Sequence, residues 1–96
     1  MYAAIRQAKL KPGTADEVAR LTREGGVPLI SSFPGFKAYY LVLGADDAVT
    51  TVSIFEDKAS AEKCNTQMLD WIKKNIGPML AAPPQGVEGR VVVHKA

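Results

Sequence analysis

The sequence has little of the residue types that most often build a recognisable catalytic or metal centre. It holds a single cysteine, Cys64, and a single histidine, His94, so it offers neither an internal disulfide nor paired zinc ligands. It also lacks a glycine-rich phosphate loop and the Gly-x-Ser-x-Gly motif of serine hydrolases. We therefore expect no metal and no cofactor, and any chemistry has to come from isolated side chains.

An excess of charge and long apolar runs are absent too. The formal net charge is +2, from 12 basic and 10 acidic residues, and no basic run is interleaved with aromatics, so nucleic-acid binding is not predicted. No apolar stretch approaches the roughly 18 residues of a membrane span. Arg6, Lys9 and Lys11 interrupt the apolar N-terminal run, which argues against a signal peptide. We expect a cytoplasmic protein with neither a membrane nor a nucleic-acid partner.

The length predicts one domain over residues 1–96. Turn-forming residues divide it into six elements. The predicted order is a strand over 2–10, a helix over 14–31, strands over 36–43 and 48–56, a helix starting at Asp57 and closed by Gly77-Pro78, and a strand from 86 or 87 to 94. This β-α-β-β-α-β order predicts a ferredoxin-like α+β fold with a four-stranded antiparallel sheet.

The predicted helices carry start and stop signals. Thr14 and Glu17 have the spacing of a capping box, and Asp57 is the expected N-cap of the second helix. In the first helix Gly25-Gly26 and Pro28 interrupt the apolar spacing, which predicts a kink or break near Gly25.

The middle strands are apolar on both sides. One predicted face of strand 36–43 holds Phe36, Ala38, Tyr40 and Val42. An antiparallel sheet covered by helices on one face normally has a polar opposite face. Since two helices cover only one face, we expect a second copy to cover the other, giving a homodimer. The alternative is a monomer with a mildly apolar open face.

Four segments, at residues 10–17, 27–30, 34–40 and 53–58, resemble the dimeric α+β barrel superfamily. Within it the chain is most similar to antibiotic-biosynthesis-monooxygenase-like proteins, over nearly its whole length. The resemblance implies two four-stranded sheets packed face to face in a homodimer, with a small pocket between the sheet and helices of each subunit. Haem degraders of the superfamily carry a ligating histidine on the second helix, which this chain lacks, so haem degradation is not expected.

Five side chains are candidate substrate-binding residues: Arg6, Tyr39, Tyr40, Asn65 and Trp71. Cofactor-free oxygenases of the resembled family use Asn and Trp near a bound aromatic to hold an enolate and guide oxygen, and the resemblance implies this role for Asn65 and Trp71. The alternative is a core tryptophan and an asparagine on the helix flank. Arg6 interrupts an apolar strand face and needs an anion, either a substrate carboxylate or a protein carboxylate such as Glu56.

The remaining candidates have structural alternatives as well. Tyr39 and Tyr40 point to opposite faces of their strand, so one should reach the helix side and the other the dimer side. Either could donate to a ligand carbonyl or simply pack in a core or interface. Cys64 is expected to be a small buried hydrophobe. His94 has the chemistry of a general base or ligand, but a solvated or interface histidine at a strand end is the alternative, and its role stays open.

Two functions fit these observations. The first is a small-molecule-binding dimeric α+β barrel protein that acts as a cofactor-independent monooxygenase on an aromatic or polyketide-like substrate. The second is a non-catalytic dimeric module that binds a metabolite or supports a larger assembly, because no convincing acid–base pair is present. The sequence does not decide whether the protein is an enzyme, and fold alone does not transfer chemistry.

Overall fold

Alternating apolar residues build a four-stranded antiparallel sheet, and helices pack on one of its faces. The computed structural model describes all 96 residues, Met1–Ala96. The strand order is β2-β3-β1-β4, which confirms the predicted ferredoxin-like α+β fold. The elements are β1 (Tyr2–Lys9), α1 (Ala15–Leu21), α2 (Val27–Ser31), β2 (Phe36–Leu43), β3 (Ala48–Phe55), α3 (Lys58–Asn75) and β4 (Gln85–Arg90). None of the helices is long and apolar enough to cross a lipid bilayer.

The register of the strands places one continuous row of side chains on the face away from the helices. Tyr40 lies opposite Val52, Val52 opposite Ile5, and Ile5 opposite Val87. The row therefore crosses all four strands, and every member of it is apolar or aromatic. This outer row is exposed at its two ends, where Tyr40 is 58% and Val87 67% accessible.

A β-bulge in β2 corrects the predicted face of Phe36. The register shifts between Phe36 and Ala38, so Lys37 has no partner on β3. An extra residue of this kind reverses the alternation of side chains on the bulged strand. Phe36 therefore packs into the core beneath the helices, edge-on to Phe55 with ring centroids 6.1 Å apart. Only Ala38, Tyr40 and Val42 remain on the outer face.

The first helical region is irregular where the sequence predicts it. A π-helical segment, Thr22–Gly26, joins α1 to α2, so the chain widens its helical turn at Gly25-Gly26 instead of breaking.

The predicted capping box is wrong. Thr14 adopts helical dihedrals and its hydroxyl donates to the Lys11 carbonyl oxygen at 2.7 Å, while Glu17 pairs with Arg20. An N-cap acceptor needs an extended residue, which Thr14 is not.

The long helix α3 begins and packs as predicted. Asp57 is extended, and its carboxylate accepts a hydrogen bond from the backbone N–H of Ser60 at 2.8 Å. This bond lowers the pKa of Asp57, because it stabilises the ionised form. The buried stripe of the helix is formed by Ala61, Cys64 and Met68, and Ile76 continues it just past the helix end.

The last strand is shorter than predicted. β4 ends at Arg90 because its partner β1 begins at Tyr2, which lies opposite Arg90, and there is no strand beyond that point to pair with. Val92 and Val93 are therefore exposed, at 77% and 85%. His94 is exposed as well and lies beyond the strand instead of within it.

Two core clusters fill the space between sheet and helices. The first surrounds Phe55, which is fully buried, with Ile30 and Cys64 close by. The second surrounds Leu10 and Val18 near the other end of the sheet. Trp71 packs against both clusters, so the region between them lies beside this side chain.

Candidate functional site

Two neighbouring cavities lie between the inner face of the sheet and α3. Their volumes are about 60 Å³ and about 30 Å³, which is room for a few water molecules. The walls are mostly apolar. Six residues line both cavities and therefore separate them: Arg6, Tyr39, Thr51, Met68, Leu69 and Ile72. We call these two cavities and their shared wall the cleft.

Arg6 is brought into the cleft by the alternation of β1, whose neighbours on the same face, Ala4 and Leu10, are buried. It forms no ion pair with Glu56 or any other carboxylate. Glu56 follows Phe55, which lies opposite Tyr2. Tyr2 is four residues from Arg6 along β1, or about 13 Å at the rise of a strand, so the pair with Glu56 is out of reach.

The side chain of Arg6 lies across Gly86 on the neighbouring strand β4. A Cβ at Gly86 would lie 3.2 Å from Nη1 of Arg6 and 3.3 Å from its Cγ. The same Cβ would also clash with the Ile5 carbonyl oxygen, at 2.5 Å. Glycine at this position therefore leaves the space over β4 that the arginine side chain occupies.

The two tyrosines separate as expected. Tyr39 lines both cavities, whereas Tyr40 stands on the outer face and does not reach the cleft. Burial raises the pKa of Tyr39 to about 12, with Thr51 acting in the opposite direction. The Tyr39 hydroxyl therefore keeps its proton at neutral pH and is available to donate a hydrogen bond.

Asn65 lines the smaller cavity from α3. Its amide nitrogen lies 3.4 Å from one carboxylate oxygen of Glu88, and the Tyr2 hydroxyl donates to the other oxygen at the same distance. Burial, and then the Glu88 carboxylate, raise the pKa of Tyr2. Sequence reasoning missed Glu88, since an exposed glutamate on an edge strand gives no signal until its neighbours are known.

Trp71 lines the larger cavity, and its indole lies against the glycine pair of the π-helical segment. A Cβ at Gly25 would lie 2.9 Å from Cζ2 of the indole, and one at Gly26 would lie 3.2 Å from Cη2. The same segment supplies the buried Thr22 to the cavity wall. The double glycine, which predicts only a helix irregularity, is the surface on which the tryptophan rests.

The structure therefore gathers Arg6 and Tyr39 in the shared wall, with Asn65 on one side and Trp71 on the other. Tyr40 is left out. Burial raises the pKa of Cys64 to about 11, so the thiol stays protonated at neutral pH, as expected of a small buried hydrophobe. No three His, Cys, Asp or Glu side chains are placed to hold a metal ion. His94 does not line either cavity.

A family model described as "Antibiotic biosynthesis monooxygenase" matches residues 1–66. This match covers the chain from β1 into α3, including Arg6, Tyr39 and Asn65, and stops before Trp71 and β4. No curated protein matches the sequence significantly.

Solved structures with the same fold come from several bacteria. A protein of unknown function from Nitrosomonas europaea has a TM-score of 0.83 at 20% identity, covering 99% of this chain and 92% of its own. A Mycobacterium tuberculosis protein gives 0.78 at 13% identity, with 99% and 98% covered. A monooxygenase from Streptomyces coelicolor in complex with the ligand nanaomycin D gives 0.72 at 19%, with 99% and 92% covered. At these identities the likeness establishes the fold alone.

Proposed function

The chain belongs to the antibiotic biosynthesis monooxygenase family, and on that premise we propose that it forms a homodimer and binds a small aromatic or polyketide-like molecule in the cleft, which it oxidises with molecular oxygen. The observation that carries this proposal is the meeting of Arg6, Tyr39, Asn65 and Trp71 around a cleft with otherwise mostly apolar walls. A few polar groups converging in an apolar cavity are typical of a small-molecule site.

The outer row supports the dimer. Tyr40, Val52, Ile5 and Val87 form an apolar line across the whole sheet, and no element of the same chain covers it. Contiguous exposed apolar surface of this kind marks a protein interface. The same face of a second copy has the matching shape and chemistry, since a two-fold axis pairs each patch with itself. We propose that residues 1–96 act in this dimer as one domain in the cytoplasm.

The small volume of the cleft has a consequence for binding. A cavity of about 60 Å³ is far below the ~300 Å³ or more of a site that encloses a ligand of drug size. Leu69 lines both cavities and is 40% exposed, so it stands between the cleft and solvent. We propose that movement of Leu69 and the neighbouring turn of α3 opens the cleft when a ligand enters.

The proposed reaction suits a substrate with an acidic methylene that is bonded to an aromatic ring and conjugated through that ring to a carbonyl. Its carbanion or enolate transfers electrons to oxygen itself, so the protein has to hold and orient the two reactants. One oxygen atom becomes the new carbonyl oxygen, and the other leaves as water with the equivalent of both methylene hydrogens. Four electrons pass from the carbon to oxygen. Tyr39 would donate to the substrate oxygen, and Asn65 and Trp71 would hold the ring.

The test uses 1,8-dihydroxyanthrone in air. Formation of the anthraquinone is followed by chromatography, and incorporation of label from ¹⁸O₂ by mass spectrometry, with the rate without protein subtracted. We expect a protein-dependent rate that falls by about 10-fold or more in Tyr39→Phe or Trp71→Phe, typical of losing a group that orients or hydrogen-bonds the reacting molecule. Tyr40→Phe is the matched control and should leave the rate per dimer unchanged.

One observation favours the second candidate, a non-catalytic module that binds a metabolite. Tyr39 keeps its proton well above neutral pH, and neither cavity is lined by histidine or a carboxylate. The cleft therefore has no side chain that takes a proton from a substrate at neutral pH. Binding of 1,8-dihydroxyanthrone by calorimetry, without acceleration of its oxidation, would favour this module over the oxygenase.

A further inference from the structure

Arg6 is the only charged side chain that lines the cleft. It belongs to the walls of both cavities, and the other lining residues are apolar or neutral. Tyr39, Thr51 and Asn65 supply the neutral polar groups nearby. The cleft therefore carries one positive charge and no negative one.

The guanidinium of Arg6 has no partner of its own. The four ion pairs of the structure lie on α1 and its continuation or on α3, and none includes Arg6. It donates no hydrogen bond to another residue either, whereas Arg20 on α1 donates to both Glu17 and Glu24. Glu88 lies on the same face of β4 as Gly86, but its carboxylate contacts Tyr2 and Asn65.

A half-buried cation without a counterion loses part of its hydration, and because no fully buried side-chain nitrogen lacks a partner, the Arg6 guanidinium stays accessible to water or to a ligand. An anion entering the cleft would offset this cost. The planar guanidinium matches the two oxygens of a carboxylate with two parallel N–H groups and can also donate to the single oxygen of an ionised enol or phenol. Gly86 keeps the edge of β4 free of a side chain at this point. The arginine therefore has room to meet a ligand from the strand side of the cleft.

We infer that the cleft selects an aromatic anion, a carboxylate or an ionised enol or phenol, and that Arg6 is the residue that recognises its charge. This inference rests on the proposed small-molecule site and names the class of ligand for it. For a substrate that enters as its ionised enol, the inference also fits the absence of a proton acceptor in the cleft walls; a carboxylate would anchor the ligand by its charge and would not be the reacting group. The Tyr39 hydroxyl lines both cavities as well and is a neutral donor available to the ligand.

The test compares a charged ligand with its neutral isostere. Binding of 1-hydroxy-2-naphthoate and 1-hydroxy-2-naphthamide is measured by isothermal titration calorimetry for the wild type, Arg6→Gln, Arg6→Lys and Arg20→Gln. We expect the wild type to prefer the carboxylate by about 10-fold or more, the range of a charge-assisted hydrogen bond. Arg6→Gln should remove this preference by weakening the carboxylate alone, and Arg6→Lys should keep part of it. Arg20→Gln, on the surface of α1, should bind like the wild type.

Three outcomes would count against the inference, and they differ in what else they overturn. Equal affinity for the two ligands in the wild type would overturn the charge selectivity and leave the proposed site standing. A carboxylate preference that persists in folded Arg6→Gln, with near-native circular dichroism, would assign the selectivity to another residue. Binding of neither ligand, with the protein folded, would overturn the proposed ligand site together with the inference.

Discussion

Each face of the sheet departs from the pattern of an ordinary antiparallel sheet. The inner face, beneath the helices, holds Arg6 and Tyr39 among its core residues. The outer face, which no helix covers, presents Tyr40 and Val87 to solvent. A sheet of this kind usually buries its apolar face and exposes the polar one.

The difference suits the two faces to the two contacts proposed for them. When a protein partner covers an exposed apolar surface, the free energy of the system falls. A polar side chain beneath the helices loses hydration, and a bound ligand that accepts its hydrogen bonds offsets this cost. The inner face is therefore suited to a small molecule and the outer face to a second copy of the chain. Substitutions on neighbouring strand positions can test this assignment face by face.

Phe55 and Ile54 are adjacent on β3 and lie on opposite faces. Phe55→Ala empties a fully buried site and should lower the free energy of unfolding by about 3–5 kcal/mol, at any protein concentration. Ile54→Ala should cost less, and its effect should grow with concentration because the part of Ile54 that is exposed in one chain is covered only in the proposed dimer. Urea denaturation at several concentrations measures both, and concentration-independent loss in Ile54→Ala would contradict the assignment.

Val52 occupies the middle of the outer row, between Tyr40 and Ile5. Val52→Lys would place a charge at the centre of the proposed interface, so the dimer should weaken by at least about 100-fold, or roughly 3 kcal/mol. Sedimentation equilibrium provides the measurement. Gln67→Lys, on the exposed side of α3, is the control and should remain dimeric. A Val52→Lys protein that stays as dimeric as the wild type would reassign the interface to another surface.

Gly25 tests how the inner face is covered. Alanine is normally better than glycine in a helix by up to about 1 kcal/mol, but a Cβ here would lie 2.9 Å from the indole of Trp71. We therefore expect Gly25→Ala to destabilise by about 1–3 kcal/mol and to shift the fluorescence of Trp71, the only tryptophan. In a double-mutant cycle, Trp71→Phe should relieve part of this cost. Additive effects would show that the two sites do not touch.

Removal of the N-cap of α3 is the substitution with the smallest expected effect on stability. Asp57→Ala should lower the melting temperature by roughly 4–8 °C at pH 7, whereas Asp57→Asn keeps a capping acceptor and should lower it less. The folded pKa of Asp57 lies below its ordinary value of 3.8. Its stabilisation is therefore complete above that value and is lost as the pH falls through the folded pKa. The gap between wild type and Asp57→Ala should therefore narrow as the pH is lowered below 3.8, and calorimetry at pH 7 and at successively lower pH values measures it.

Sequence reasoning was most successful where a signal is local. The turn between β2 and β3 and the N-cap of α3 are each made by residues only a few positions apart along the chain, and both occur as predicted. The capping box failed because the turn at Gly13, with φ of +80°, brings the Lys11 carbonyl to the hydroxyl of Thr14. Phe36 changed faces because of a bulge that no residue type announces.

The sequence predicted several residues of the candidate site, but it did not predict the contacts that these residues make. Arg6 was recognisable because it interrupts an apolar strand face. Tyr39 was recognisable because it and the adjacent Tyr40 point to opposite faces of their strand. Glu88 and Gly86 were not, because their relevance depends on the pairing of β4 with β1. The alternative of an ion pair between Arg6 and Glu56 could be dismissed only once the register placed Glu56 beyond the Tyr2 end of β1, four residues from Arg6.

The sequence by itself determined the order of the elements, the alternation of the strands and the buried stripe of α3, because these follow from periodicity and capping over a few residues. Tertiary structure decided that Trp71 rests on Gly25-Gly26, that Asn65 meets Glu88 and that Arg6 has no counterion. These outcomes join residues that are tens of positions apart. They depend on strand order and register, which arise from packing the whole chain and leave no local pattern to detect.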